Sequence, residues 1–222
     1  MHGWTEIDTP HGPVRGWRAE PPGPSKGAVL VIQEIFGVNA HIRSVADRLA
    51  DAGFLSLAPS VFDPVEHGVE LDYSDDGIQR GRALVGALGT ERAMDLLNAT
   101  AEKLQMEGLR VGAVGFCWGG TLAFLCATRL SLPAVAYYGA RSVPFLDETA
   151  NAPLLFHFGA DDPSIPPTDI QAHREKQPQA TIHVYEGAGH AFNRDVDPKV
   201  YNEAAATTAW QRTLDFLETQ LR

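Results

Sequence analysis

What most constrains this chain is its alternation of short apolar runs with segments whose apolar residues recur at helical spacing. Ala28-Val29-Leu30-Val31-Ile32 is a continuous apolar run, the pattern of a strand buried on both faces. Beyond it, from the N-cap candidate Asn39, the residues Ile42, Val45, Ala46, Leu49 and Ala50 repeat at helical intervals until Gly53. The pattern continues with a strand at Phe54–Ala58, helices over about 76–88 and 90–107, a strand at Leu109–Val114 and a helix over 121–130. Strands at Pro133–Tyr138, Pro153–Phe158 and Thr181–Tyr185 follow, with a helix over 169–176 between the last two. Asp197-Pro198 fits the N-cap and N1 positions of a final helix with Trp210, Leu214, Leu217 and Leu221 on one face. Parallel neighbours need a crossover between them, so this alternation predicts an α/β fold with a mostly parallel sheet covered by helices on both faces.

Two further stretches fall outside the alternation. Trp4–Asp8 and Val14–Arg18 flank the turn-prone Thr9-Pro10-His11-Gly12-Pro13 and read as an antiparallel hairpin at the sheet edge. The Pro-, Asp- and Gly-containing stretch from Ala58 to about Gly77 reads as an irregular excursion, a usual source of pocket walls. With 222 residues and 44% hydrophobic content, the expectation is one domain over 1–222 without a large cap domain. The net charge of −10 argues against nucleic acid or an anionic membrane as partner. Cys117 and Cys126 lie nine residues apart across a proposed turn and helix, beyond the reach of a disulfide. Reduced thiols and a cytoplasmic setting are therefore expected. No signal-peptide pattern and no apolar run of roughly 20 residues is present.

In a sheet of this kind catalytic groups gather on the loops after the carboxyl ends of the strands. Gly115-Phe116-Cys117-Trp118-Gly119-Gly120 places Cys117 on such a turn, with glycines two residues to either side. The pattern alone also fits a quiet glycine-rich turn carrying an inert cysteine. Three other reactive positions follow strands: Glu34 after Ile32, Asp161 and Asp162 after Phe158, and His190 after Tyr185. The order nucleophile, acid, histidine is that of the α/β-hydrolase fold. An ordinary thiol is only about 3% thiolate at neutral pH, so Cys117 needs a base. His190 can take that proton if a carboxylate fixes its tautomer, and both Asp161 and Asp162 compete for that role. An oxyanion formed at a carbonyl needs backbone donors, which the N–H groups of Trp118 and Ile35 can supply.

At several separate places the chain resembles the dienelactone hydrolase family, the cysteine-nucleophile branch of the α/β-hydrolases. Gln33-Glu34-Ile35-Phe36-Gly37-Val38-Asn39, Gly115 to Gly120, Gly159-x-x-Asp162 and Gly189-His190-Ala191-Phe192 carry the resemblance. It implies the triad Cys117, Asp162 and His190, and a role for Glu34 in contacting and activating the resting thiol. It also implies arginines that hold a substrate carboxylate. Arg194, four residues after the histidine, matches one of them; Arg80 is taken as the second, with Arg82 and Arg141 as alternatives. Phe36 and Tyr138 are taken as pocket residues, although for Tyr138, as for Tyr137, core packing is the competing assignment. The remaining histidines, among them His41, His157, His173 and His183, show no metal-ligand spacing, and neither a metal nor another cofactor is expected.

The expected partner is therefore a small, anionic ester or lactone, acted on by a monomer or small homo-oligomer. A carboxylesterase or thioesterase on another small ester would keep the triad without needing Arg194. A catalytically idle binding module would need none of these residues. A thiol redox protein is disfavoured by the lack of a Cys-x-x-Cys pair.

Overall fold

The alternation becomes eight strands and six helices in the computed structural model, which describes residues 1–222. In chain order they are β1 (His2–Ile7), β2 (Val14–Ala19), β3 (Ala28–Ile32), α1 (Ala40–Asp51), β4 (Leu55–Pro59), α2 (Asp75–Leu88) and α3 (Thr90–Met106). Then come β5 (Val111–Phe116), α4 (Trp118–Arg129), β6 (Ala134–Tyr137), β7 (Leu154–Gly159), α5 (Pro167–Lys176), β8 (Thr181–Tyr185) and α6 (Glu203–Leu221). The strand order is β1-β2-β4-β3-β5-β6-β7-β8. β1 and β2 form the expected antiparallel hairpin and β2 pairs antiparallel with β4. The pairs β3–β4, β5–β6, β6–β7 and β7–β8 are parallel. No helix is long and apolar enough to cross a membrane. The chain divides into two units, residues 1–112 with 221–222, and residues 113–220.

In the first unit every residue of β3 is fully buried, as its unbroken apolar run requires. Asn39 caps α1 by accepting the Ile42 N–H at 3.3 Å, and Ser74 caps α2 through the Gly77 N–H at 3.1 Å. The stretch between β4 and α2 is irregular but tied down. Both carboxylate oxygens of buried Asp63 accept backbone N–H groups, from Arg15 at 2.9 Å and Gly68 at 3.0 Å. The stretch also folds back on the loop after β3: Leu71 N–H donates to Phe36 O at 2.9 Å, and the rings of Phe36 and Tyr73 meet edge-on at 4.8 Å. Helix α2 lies so close to this loop that a Cβ on Gly81 would sit 2.3 Å from the Ile35 carbonyl oxygen.

In the second unit β5 runs on to Phe116 and α4 starts at Trp118, three residues before the sequence-predicted start, leaving Cys117 alone between them. The final helix departs from expectation. It begins at Glu203, not at Asp197-Pro198: Asp197 does cap a turn, its Oδ1 accepting the Lys199 N–H at 3.2 Å, but that turn ends within a few residues, where the Asn202 N–H donates to Phe192 O at 3.0 Å. Asn202 is the effective cap, its Oδ1 accepting the Ala205 N–H at 3.0 Å. The buried stripe of α6 is Ala205, Ala206, Ala209, Thr213, Leu217 and Leu221, whereas Trp210 and Leu214 lie half-buried beside it. Thr213, at the middle of the stripe, meets polar partners beneath the helix.

Candidate active site

Cys117 has φ 54° and ψ −118°, a left-handed backbone conformation that glycine adopts freely and other residues rarely do. Holding a cysteine there costs on the order of 1–3 kcal/mol, so the surroundings must impose it. They do so by close backbone approach. A Cβ on Gly115 would lie 1.9 Å from Gly119 O, and one on Gly120 would lie 2.5 Å from Tyr137 O. The Cys117 N–H donates to the same Tyr137 carbonyl at 3.0 Å. Cys117 is partly exposed, whereas Cys126 is fully buried and its thiol pKa is driven up by desolvation.

The imidazole of His190 meets the thiol directly, with Nε2 3.2 Å from Cys117 Sγ and Nδ1 2.7 Å from Asp162 Oδ2. The other oxygen of Asp162, Oδ1, accepts the Ser164 N–H at 2.8 Å, and the carboxylate is buried. Asp161 is exposed, so of the two neighbouring aspartates it is Asp162 that the fold joins to the histidine. The loops carrying Asp162 and His190 also touch through backbone. Asp161 N–H donates to Ala188 O at 2.9 Å, and a Cβ on Gly159 would come within 2.3 Å of that oxygen. Ala191, next to His190, also has a positive φ, 61°, and its carbonyl accepts the Arg194 N–H at 2.9 Å. Burial opposes charge on His190, but its electrostatic interaction with the Cys117 sulfur and its hydrogen bonds to Asp162 and Cys117 outweigh it and raise the imidazole pKa to about 10.

Trp118 opens α4, so its N–H stands at the positive end of that helix. Tyr138 is fully buried with φ 39°, and its ring meets His190 edge-on at 5.2 Å, so a core residue borders the imidazole. Arg194 is buried, with Asp197 at 3.4 Å. In the first unit, Glu34 is fully buried two residues after β3, Ile35 is half-buried in the following turn, and buried Phe36 packs on Tyr73. Arg80 is an exposed residue of α2 in an ion pair with Glu66, and Arg82 and Arg141 are exposed. No group of three or more His, Cys, Asp or Glu residues is arranged to hold a metal ion. Sequence reading overlooked the strained Ala191, for which a non-glycine residue after His190 gives no signal. It also overlooked Ser164, whose N–H holds the Asp162 carboxylate.

The model of the dienelactone hydrolase family matches residues 14–221. A carboxymethylenebutenolidase of Pseudomonas putida is 35% identical over 217 residues, covering 93% of this chain and 90% of its own. A Synechocystis protein assigned as a carboxymethylenebutenolidase is 34% identical over 229 residues, covering 94% of this chain and 93% of its own. Among solved structures, a protein of Klebsiella pneumoniae assigned as a dienelactone hydrolase superposes with a TM-score of 0.85 at 30% identity, covering 99% of this chain and 98% of the other.

Proposed function

Because the chain belongs to the dienelactone hydrolase family, we propose that it is a hydrolase that opens a small carboxylated lactone, with Cys117 as nucleophile. The observation that carries this reading is the line from thiol to imidazole to buried carboxylate, with steps of 3.2 and 2.7 Å, at a strained strand-to-helix turn. In the first half-reaction the Cys117 sulfur attacks the carbonyl carbon while the thiol proton rests on His190 Nε2. The ring C–O bond then breaks, and His190 returns the proton to the departing oxygen, which stays tethered to the acyl group in a lactone. In the second half-reaction a water gives a proton to His190 and attacks the thioester, freeing the acid and the thiol. Asp162 holds the imidazole in the tautomer that presents Nε2 to sulfur and stabilises the cation formed.

The N–H groups of Trp118 and Ile35 are the proposed donors to the oxyanion, and Glu34 is proposed to activate the thiol when substrate binds. Arg194 is the proposed anchor for the substrate carboxylate, with Phe36 and Tyr138 as pocket walls. Arg80 already has Glu66 as counter-ion, which makes it the lesser anchor. A second reading, hydrolysis of neutral esters by the same triad, is favoured by one contact: the Asp197 carboxylate near Arg194 already offsets part of its charge.

Cys117→Ala is expected to abolish hydrolysis of p-nitrophenyl esters and lactones while the far-UV spectrum stays native. Retained turnover refutes the nucleophile, and a wild-type protein without turnover on either class supports a binding module instead. Arg194→Ala separates the two substrate readings. For an anchor, KM should rise roughly 10-fold or more for a carboxylated lactone and little for a neutral ester. An equal effect on both favours the general esterase.

A further inference from the structure

Beneath the site a row of polar side chains crosses the carboxyl ends of β6, β7 and β8, and nothing in the proposed chemistry uses it. Tyr137 and His157 are register partners on neighbouring strands, and both are fully buried. Thr213 of α6, also fully buried, lies 2.6 Å from Tyr137 Oη and 3.1 Å from His157 Nε2. On the far side of the imidazole, Tyr185 Oη is 2.8 Å from His157 Nδ1, and Arg212 Nη1 donates to Tyr185 Oη at 3.2 Å.

The protons of this row follow from counting donors. Thr213 Oγ1 has one hydrogen and donates it to Ala209 O at 2.9 Å. Its lone pairs therefore accept the Tyr137 O–H and the His157 Nε2–H. Nδ1 of His157 is then an acceptor and takes the Tyr185 O–H, which leaves Tyr185 Oη to accept from Arg212. His157 is thus neutral, in agreement with burial and the neighbouring His183 and Arg212, which hold its pKa well below the ordinary value. One hydroxyl serves two acceptor bonds and one donor bond, so every group in the row is committed.

The backbone of the same residues carries the active site. The Tyr137 carbonyl accepts the Cys117 N–H at 3.0 Å, and the His157 carbonyl accepts the N–H of strained Tyr138 at 2.8 Å, whose ring rests on His190. Phe192, two residues beyond the base, packs against Tyr138 at 5.3 Å and Tyr185 at 5.2 Å. We infer that Thr213 is a positioning residue: its hydroxyl is the node by which α6 fixes Tyr137 and His157, and through their carbonyls the nucleophile turn and the ring that backs the base. It touches no reacting atom. The inference rests on Cys117 and His190 acting as nucleophile and base.

Thr213→Val keeps the shape of the side chain and removes the node, and Thr213→Ser restores the hydroxyl. The primary readout is the rate of Cys117 alkylation by iodoacetamide in the native protein at pH 7, which requires no turnover. Thr213→Val should slow it roughly tenfold, with kcat for a p-nitrophenyl ester falling in step and KM within about twofold, and Thr213→Ser should return to near wild type. Alkylation within about twofold of wild type in Thr213→Val overturns the inference, as does Thr213→Ser as slow as the valine variant. Should Thr213→Val fail to fold, Tyr137→Phe removes a single bond of the row and is judged by the same criteria. Loss of turnover in Cys117→Ala tests the nucleophile separately, so the two ideas can fail independently.

Discussion

Asp161 and Asp162 are adjacent, carry the same side chain and follow the same strand, yet only Asp162 is buried and bonded to His190. The difference comes from the turn that begins there: Ser164 N–H takes Oδ1, and Ile165 N–H donates to the Asp162 carbonyl at 3.1 Å. Which of two neighbouring carboxylates turns inward is a matter of local dihedrals, and residue types alone leave it open. Asp162→Asn should leave the fold intact and lower kcat by roughly 10²- to 10⁴-fold, since an amide no longer selects the productive tautomer or steadies the imidazolium. Asp161→Asn should stay within about twofold, and steady-state kinetics of the pair checks both. Cys117 and His190 were legible because strand ends and a glycine pattern mark them, whereas the positive φ angles of Tyr138 and Ala191 leave no trace in sequence.

Elements whose boundaries rest on apolar pattern came out close to expectation, with β3 and β8 matching residue for residue. The start of α6 did not, because Asp197-Pro198 caps only a short turn, which breaks off where the Asn202 N–H donates to Phe192 O, and the helix starts afresh from Asn202. Asn202→Ala should therefore cost about 1 kcal/mol, the worth of an N-cap, measured by urea denaturation. Glycines divide by what surrounds them rather than by sequence. Gly115→Ala drives a methyl group to 1.9 Å from Gly119 O and should destabilise by about 3 kcal/mol or more. Gly86→Ala, in α2 with nothing within 4 Å, should stabilise by about 0.5–1 kcal/mol through helix propensity. Equal effects of the two alanines would mean that the turn has slack.

Across the molecule the fold class was legible because alternation of strand and helix leaves few topologies, while the buried polar contacts were not, since hydrogen-bond partners distant in sequence have no local signature. Buried histidines are the clearest case, and they set an acid limit on stability. Desolvation lowers the pKa of His157 and of His173, whose Nδ1 lies 2.7 Å from Asp169 O. Above the ordinary value of 6.5 both are neutral whether folded or unfolded, and their full contribution is present. Below it the unfolded chain binds protons that the native state refuses, so stability falls with pH by up to about 1.4 kcal/mol per pH unit for each. Urea midpoints should drop between pH 6.5 and 5, and His173→Asn should flatten that slope; an unchanged slope would refute the assignment. Cys126 offers a way to watch the same transitions. Since it is sealed inside α4 while Cys117 faces the site, a thiol reagent counts one group in the native protein and two in the unfolded one. The second count appears only when the core opens, so with Cys117 removed, the labelling rate of this one sulfur becomes a clock for opening, readable at pH 7 without denaturant.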